Sequence, residues 1–221
     1  MTVETLQQLI ARVQGFDAIR DRVRAMGTDN MSHFGNGYTH EGGLSLQQNP
    51  DEFAALCIKL REWAPVAQYL EIGSASGGAA VALQTESLRF TKMLAIDDGG
   101  HHRFPEQKAN FDKLHAIGVD VCFFHGDSHS TAAEQFLREH ADGGTVDVAF
   151  IDGDHSHEGC WADLLLVTRF SRKGTVVVFH DTVACEGVHR AWHEGTRFFD
   201  QAAEYIGNGY RPLGIGVGVM R

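Results

Sequence analysis

The sequence predicts an α/β protein in which a mostly parallel sheet lies between two layers of helices. Two observations carry this prediction. From residue 68 onward, short apolar segments alternate with segments of helical periodicity, and successive strands start roughly 25 to 30 residues apart, which is the length of a strand plus a crossover helix. In addition, the polar residues follow directly after the apolar segments, where parallel sheets place their ligands.

The N-terminal segment 2–26 has the apolar spacings of three and four that indicate an amphipathic helix, with a break expected near Gly15. We expect it to cap the sheet or to pair with a second subunit, which would give a homodimer. Segment 27–49 contains several glycines and is unusually long for a plain connector, so we expect a mobile lid loop over a site. This divides the chain into a helical cap and lid, 1–49, and a main domain, 50–221.

The main domain begins with Asn49-Pro50, which predicts a helix to about residue 63. Further helices are expected at 76–87, 105–117, 130–140, 157–170 and 187–201. Strands are expected at 68–72, 92–96, 119–124, 146–151 and 175–179. The tail 212–220 alternates glycine with apolar residues and predicts a last strand with one bare face, against which another part of the chain packs closely.

Composition limits the function. The chain has 221 residues and a net charge of -10, which argues against a nucleic acid or an anionic membrane as the main partner. The four cysteines form no CxxC pair and predict reduced thiols in a cytoplasmic protein. The N-terminus lacks an apolar signal core, and no apolar run approaches the roughly 20 residues that span a bilayer.

Segment 146–158, VDVAFIDGDHSHE, is the strongest candidate for a reaction centre. Its apolar half predicts a strand buried on both faces, and it ends in two carboxylates and two imidazoles: Asp152, Asp154, His155 and His157. A solvated polar loop is the alternative interpretation. The pair His180-Asp181, which follows the next strand, favours the reaction centre.

A nucleotide-sized site is indicated by the turn EIGSASGG, residues 71–78. A glycine turn between a strand and a helix lets backbone N–H groups approach a ligand. Ala75 stands where a dinucleotide motif needs glycine, and Ala79 stands where a phosphate-binding loop needs lysine. The acidic Glu71 inside the turn favours a ligand that carries an ammonium group.

Acidic residues also follow the next two strands. Asp97 and Asp98 end the second strand, close to the roughly 20 residues after the glycine turn at which an acid binds ribose hydroxyls in this architecture. Asp127 and Ser128 follow the third strand, where a polar side chain can contact adenine. Each of these residues could instead cap a helix.

The ordered segments EIGSASGG, AIDD, GDS, FIDGDHSHEG and VVFHD resemble the class I S-adenosylmethionine-dependent methyltransferases. Within that class they are most similar to the small O-methyltransferases with IDGDH and HD motifs, whose better-known relatives act on macrolide sugars and catechols. The resemblance covers about residues 47–221. It implies a Rossmann-like three-layer sandwich with a seven-stranded sheet of order 3-2-1-4-5-7-6, the last strand antiparallel.

The resemblance also implies which residues bind the cofactor, S-adenosylmethionine. Asp97 would take the ribose, and Asp127 and Ser128 would lie near the adenine. The remaining candidates belong to the glycine turn or follow the second and fourth strands: Glu71, Gly73, Ser74, Ala75, Ser76, Gly77, Gly78, Asp98 and Asp152.

In the metal-dependent relatives, acids after the fourth and fifth strands hold a divalent cation, and the matching residues here are Asp152, His180 and Asp181. Two carboxylates favour Mg²⁺ or Mn²⁺, whereas an imidazole ligand shifts the preference toward another transition metal. His180 replaces a carboxylate of the macrolide-sugar enzymes and could stay outside the ligand shell. His155 follows Asp152 by three residues, as the proposed base does in those enzymes. An imidazole can accept a hydroxyl proton near neutral pH.

We therefore expect methyl transfer to a hydroxyl of a small molecule, with Asp152 and His155 as catalytic residues. The alternative is a non-catalytic S-adenosylmethionine-binding partner that docks a neighbouring enzyme. Asp154 is expected to be the N-cap of the next helix, and His157 is expected to begin that helix as a surface or capping residue. Trp192 and the segment 33–38 are hypothetical substrate contacts, and the acceptor itself cannot be read from the sequence.

Overall fold

The computed structural model of the chain describes residues 3–27, 43–207 and 212–221. The strands of the described residues are β1 Val3–Thr5, β2 Gln68–Ile72, β3 Lys92–Asp97, β4 Asp120–His125, β5 Val148–Ile151, β6 Val176–His180, β7 Phe199–Tyr205 and β8 Ile215–Met220. They form one sheet of order β1-β7-β8-β6-β5-β2-β3-β4. β8 runs antiparallel to both of its neighbours, and all other pairs are parallel.

The helices of the described residues are α1 Leu6–Arg12, α2 Phe16–Ala25, α3 Pro50–Leu60, α4 Gly78–Glu86, α5 Gln107–Ala116, α6 Thr131–His140, α7 His157–Arg169 and α8 Glu186–Gly195. The expected break near Gly15 is confirmed, since Gly15 has a φ of 78° between α1 and α2. Side-chain oxygens of Thr5, Asn49, Ser130 and Ser156 accept backbone N–H groups at the starts of α1, α3, α6 and α7.

The predicted sheet order is confirmed for the seven strands from β2 to β8, but the count of seven is wrong. The short strand β1 adds an eighth, paired in parallel with β7 at the edge of the sheet. Three residues are too few to show a period, and the apolar spacing of segment 2–26 continued the helical pattern through them.

The predicted helix 187–201 is also wrong in its second half. α8 ends at Gly195, and β7 begins at Phe199. The composition of β7, which contains Gln201, Ala202, Ala203 and Glu204, favours a helix locally. Pairing with β8 on one side and β1 on the other overrides that local preference.

Two apolar cores cover the two faces of the sheet. Tyr69 of β2 belongs to the core under α1 to α5, whereas its neighbour Leu70 belongs to the core under α6 to α8. This alternation along each strand is the pleat of a sheet buried on both sides. Within the described residues, no helix combines the length and the apolar character needed to cross a membrane.

The bare face of the tail strand is confirmed by what packs against it. A Cβ added at Gly216 would lie 2.6 Å from the Trp192 ring, and one at Gly218 would clash with the Phe199 ring. Trp192 is therefore a core residue, only 1% exposed, and the hypothesis that it contacts substrate is wrong.

The end of the predicted lid lies on the glycine turn. Ser76 Oγ donates to the carbonyl oxygens of Leu44 and Ser45, both at 3.2 Å, and Asn110 Nδ2 donates to Leu44 O at 3.2 Å. A Cβ at Gly78 would clash with Leu44 O, so this close contact requires glycine. The rest of the predicted lid, residues 28–42, including the hypothetical substrate contacts 33–38, lies outside the described residues.

Candidate active site

The carboxyl ends of β2 to β6 open into a cavity of about 830 Å³. This volume is within the range of roughly 300–1,000 Å³ that holds small ligands and cofactors. The parallel sheet explains its position, because the polar residues that end successive strands meet at one edge. Its walls include Gly73, Ala75, Asp97, Asp98, Asp127, Ser128, Asp152, His155, His180 and Asp181.

One end of the cavity, the cofactor end, is built by the glycine turn. Gly73 has a φ of 82°, and a Cβ there would clash with the carbonyl of Asp152. Ala75 is also left-handed, with a φ of 42°. Asp97 holds this conformation: its Oδ2 accepts the Ala75 N–H at 2.7 Å, and its Oδ1 accepts the Gly99 N–H at 2.7 Å.

Asp97 has acceptor capacity beyond these two bonds. An ionised carboxylate offers about four lone-pair sites, and the two backbone donors occupy two of them. The carboxylate is 6% exposed and lines the cavity. It can therefore accept a pair of neighbouring hydroxyls, as the ribose of a nucleoside presents them.

Five predicted cofactor residues of the turn do not line the cavity: Glu71, Ser74, Ser76, Gly77 and Gly78. Ser74 Oγ accepts from Gln107 Nε2 at 2.9 Å, so the serines of the turn fasten it to its neighbours. Glu71 is buried and accepts the Tyr69 hydroxyl at 3.0 Å. Burial raises the pKa of Glu71 to about 8. Direct cofactor contact by these residues stays a prediction.

The loop after β4 forms the side wall of the cofactor end. Asp127 Oδ1 accepts the His129 N–H at 2.8 Å, and Ser128 Oγ donates to Asp163 Oδ1 at 2.7 Å. Asp98 Oδ1 accepts the Gly100 N–H at 2.7 Å. The predicted residues Asp98, Asp127 and Ser128 thus all reach the cavity wall, each held by a hydrogen bond within the chain.

The other end of the cavity, the reaction end, is built by side chains that follow β5 and β6. His180 Nδ1 lies 3.1 Å from Asp152 Oδ1 and 3.4 Å from Asp181 Oδ2. His155 Nε2 lies 3.4 Å from each of the same two oxygens. The carboxylates and imidazoles therefore alternate around one small space, and Asp181 reaches it with a left-handed φ of 62°.

The charges at the reaction end depend on one another. Burial raises the pKa of Asp152, but His180 and His155 outweigh burial and bring that pKa down to about 2. Burial lowers the pKa of His180, but the two carboxylates outweigh it and hold the pKa well above its usual value. The pKa of His155 is also raised, first by its hydrogen bond with Asp152.

The donor atoms of the reaction end fit a divalent cation. Ligands about 2.1 Å from an ion lie about 3.0 Å apart in octahedral geometry and about 3.4 Å apart in tetrahedral geometry. Within the group Asp152, His180 and Asp181, the His180 Nδ1 separations of 3.1 and 3.4 Å fall in this range, and all three donor atoms lie within 4.8 Å of one another. Asp152, His180 and Asp181 form one group of possible ligands, as expected from the sequence.

Sequence reasoning missed several residues of the site. Cys185 joins His155 and Asp181 in a second group whose donor atoms all lie within 4.8 Å of one another. Its spacing from Asp181 resembles no metal motif, and only the turn after β6 brings the two together.

Asp163 lies on α7 among apolar residues, and a single carboxylate in a helical segment gives no functional signal in a sequence. Gln47 and Leu213 line the cavity without a motif.

The expectation that Asp154 is the N-cap of the next helix is wrong, whereas His157 begins that helix as expected. Asp154 Oδ1 accepts the Ser156 N–H at 2.8 Å, and Ser156 Oγ caps α7 by accepting the Gly159 N–H at 3.0 Å. Ser156 is thus the cap, and Asp154 supports it. His157 begins α7, and its Nε2 lies 3.3 Å from Glu194 Oε2.

Comparison with known protein families gives one match. A family described as a methyltransferase domain matches residues 70–182, just over half of the chain. The match runs from β2 through β6 and so includes every strand end that builds the cavity. No curated protein matches the sequence.

Solved structures share the fold along nearly the whole chain. An O-methyltransferase from Bacillus cereus in complex with SAH is 15% identical, covers 97% of this chain and 96% of its own, and has a TM-score of 0.61. An O-methyltransferase from Streptomyces achromogenes involved in tomaymycin synthesis, in complex with SAM, is 17% identical over 95% and 90% of the two chains, with a TM-score of 0.58. A Klebsiella pneumoniae protein described as an O-methyltransferase is 22% identical over 97% and 94%, with a TM-score of 0.57.

Proposed function

The chain belongs to the methyltransferase domain family, and we propose that it transfers a methyl group from S-adenosylmethionine to a hydroxyl of a small molecule with the help of a divalent cation. One observation carries this proposal. A single cavity has Asp97 and the glycine turn at one end and the ring of Asp152, His155, His180 and Asp181 at the other. The structural neighbours that bind SAM or SAH support the choice of cofactor.

When bound, S-adenosylmethionine supplies an electrophilic methyl group, and a divalent cation supplies positive charge that makes a nearby hydroxyl more acidic. At the cofactor end, Asp97 binds the ribose hydroxyls while the turn at Gly73 and Ala75 gives the backbone a close approach. This fixes the direction from which the acceptor oxygen must approach, and such alignment accounts for much of the rate of a displacement reaction.

His155 takes the proton of the acceptor hydroxyl on its imidazole. Its side chain is 44% exposed on the cavity wall, so a hydroxyl can reach it. The carboxylates of Asp152 and Asp181 hold the ring in position and stabilise its protonated form. General base assistance of this kind contributes roughly 100- to 10,000-fold to a rate.

Asp152, His180 and Asp181 would hold the cation, and His180 would bind it only after losing a ring proton, because a metal ligand must be deprotonated. The set contains nitrogen as well as oxygen donors, and Cys185 adds a sulfur nearby. Such a mixture favours Mn²⁺ or a softer transition metal over Mg²⁺, because Mg²⁺ prefers oxygen ligands alone.

The proposal is tested with purified, metal-stripped protein. Calorimetry with S-adenosylhomocysteine measures cofactor binding. Transfer of labelled methyl from S-adenosylmethionine to a panel of catechols, simple phenols and sugar hydroxyls is then measured with and without Mg²⁺, Mn²⁺ and Co²⁺. We expect binding without added metal and transfer that depends on metal.

Two outcomes would contradict the proposal. If the folded protein does not bind S-adenosylhomocysteine, S-adenosylmethionine is not its cofactor. If the protein binds S-adenosylhomocysteine tightly but methylates none of the acceptors, whichever ion is added, the alternative of a non-catalytic partner of a neighbouring enzyme would be favoured.

A further inference from the structure

A buried acid on α7 connects the cavity wall to the interior. Asp163 is 0% exposed, and its Oδ1 accepts the Ser128 hydroxyl at 2.7 Å. His129 Nε2 lies 3.2 Å from the same oxygen and 3.2 Å from Gly159 O. Ser128 and His129 both line the cavity, whereas Asp163 does not. Asp163 is thus a buried acid with no place in the reaction described above.

The direction of the hydrogen bond follows from the chemistry of the pair. An ionised carboxylate has lone pairs and no proton, so Ser128 must be the donor. Burial raises the pKa of Asp163 to about 6, so the carboxylate is ionised above that pH. Oδ2 of Asp163 is buried without a hydrogen-bond partner within residues 3–27, 43–207 and 212–221. Ser128 and His129 both reach the acid at Oδ1.

A serine hydroxyl has one proton and two lone pairs. Because the proton of Ser128 is directed to Asp163, only lone pairs of Oγ are left for the cavity. A ligand group that meets Ser128 must therefore be a hydrogen-bond donor. An amine satisfies this condition, whereas a carbonyl oxygen at the same place would meet another acceptor.

We propose that Asp163 is a specificity-determining positioning residue, which makes Ser128 an obligate acceptor and so selects a 6-amino purine over a 6-oxo purine in the cofactor. This inference rests on the proposed function, in which the cofactor end binds the nucleoside. Ser128 contacts the exocyclic amine of adenine, and Asp163 acts through Ser128 without touching the cofactor. A 6-oxo purine is disfavoured because its carbonyl oxygen and Ser128 Oγ would both be hydrogen-bond acceptors, and burying two acceptors against each other without a donor is costly.

The experiment compares the binding of two probes by calorimetry, S-adenosylhomocysteine and its 6-oxo analogue S-inosylhomocysteine. Wild-type protein is expected to bind the adenosyl compound at least about 10-fold more tightly, the effect of roughly one hydrogen bond. Asp163→Leu removes the acceptor for the Ser128 proton, so this ratio should fall toward one. Ser128→Ala removes the Oγ atom and should lower the ratio by weakening the adenosyl compound.

Ser130→Ala is the matched control. Ser130 Oγ caps α6 two residues after Ser128 but does not line the cavity, so this variant should keep the wild-type ratio. An unchanged ratio in folded Asp163→Leu overturns the inference. An unchanged ratio in Ser128→Ala overturns it as well, even if Asp163→Leu does not fold.

The two proposals fail in different ways. If wild-type protein binds neither compound, the proposed function fails and this inference falls with it. If wild-type protein binds both compounds equally tightly, only the inference about Asp163 fails.

Discussion

The carboxylates at the two ends of the cavity have different kinds of partner. At the cofactor end, Asp97 accepts two backbone N–H groups, so its charge is balanced by the turn that it holds. At the reaction end, the carboxylates of Asp152 and Asp181 each lie 3.1 to 3.4 Å from the imidazoles of His155 and His180. The cofactor end is therefore shaped by backbone conformation, whereas the reaction end is shaped by the balance of side-chain charges.

This difference predicts that damage to one end should leave the other largely intact. A backbone turn keeps its shape when a charge is removed elsewhere. A ring of two acids and two imidazoles does not, because each charge is balanced by its neighbours. Three substitutions test this separation, and a fourth tests the buried acid Asp163.

The largest effect is expected for Asp152→Ala. Asp152 belongs to both the cation group and the partners of His155, so its loss should lower methyl transfer by about 1,000-fold or more. Affinity for S-adenosylhomocysteine, measured by calorimetry, should change by only a few-fold. The control is Asp154→Asn in the same loop, whose carboxylate supports the start of α7. Equal loss of transfer in both variants would contradict a special role of Asp152.

His155→Gln should lower kcat by roughly 100-fold or more while leaving the KM for S-adenosylmethionine nearly unchanged, because only the proton acceptor is removed. Glutamine can still donate to the carboxylates, so the loop should keep its shape. Added imidazole or an acceptor with a more acidic hydroxyl should restore part of the rate. A full loss that neither addition relieves would indicate a structural role for His155.

Asp97→Ala tests the cofactor end. The Ala75 and Gly99 N–H groups lose their acceptor, and the ribose loses its partner, so affinity for S-adenosylhomocysteine should fall by about 10- to 100-fold. Binding of Mn²⁺, followed by electron paramagnetic resonance, should stay at the wild-type level. Loss of Mn²⁺ binding in this variant would show that the two ends are not separable.

The last substitution, Asp163→Asn, concerns stability, and its expected effect appears only as a dependence on pH. The pKa of Asp163 is raised from 3.8 to about 6, so between these values the folded chain holds more protons than the unfolded chain. The contribution of Asp163 to the free energy of unfolding is therefore present below pH 4 and is lost as the pH rises to about 6. Asparagine cannot titrate.

From pH 4 to pH 7, the wild-type protein should therefore lose on the order of 2 kcal/mol of unfolding free energy relative to the Asp163→Asn variant. Urea unfolding at several pH values measures it. A difference that is constant over this range would show that Asp163 does not titrate with a raised pKa.

Features that depend on residues near one another in the sequence could be predicted from it. The bounds of β2 were predictable because its apolar run and the glycine turn after it are local signals. The order of β2 to β8 was predicted only through the resemblance to the methyltransferases. The acids Asp97, Asp152 and Asp181 were predictable because each ends or directly follows a buried strand, and parallel strands bring their ends together.

Other features depend on contacts between distant segments. β7 has the composition of a helix and becomes a strand only through its neighbours in the sheet. Trp192 looked available for substrate, yet the bare face at Gly216 buries it. Asp163 and Cys185 join the site through tertiary contacts that no spacing along the chain encodes.

The central claim is that one ligand joins the two ends of this cavity, and a crystal structure of the protein with S-adenosylhomocysteine and Mn²⁺ tests it most directly. We expect the ribose on Asp97, an anomalous Mn²⁺ peak between the Asp152 and Asp181 carboxylates, and the thioether sulfur directed toward the space beside His155. A nucleoside bound elsewhere, or a metal peak remote from these carboxylates, would contradict the account.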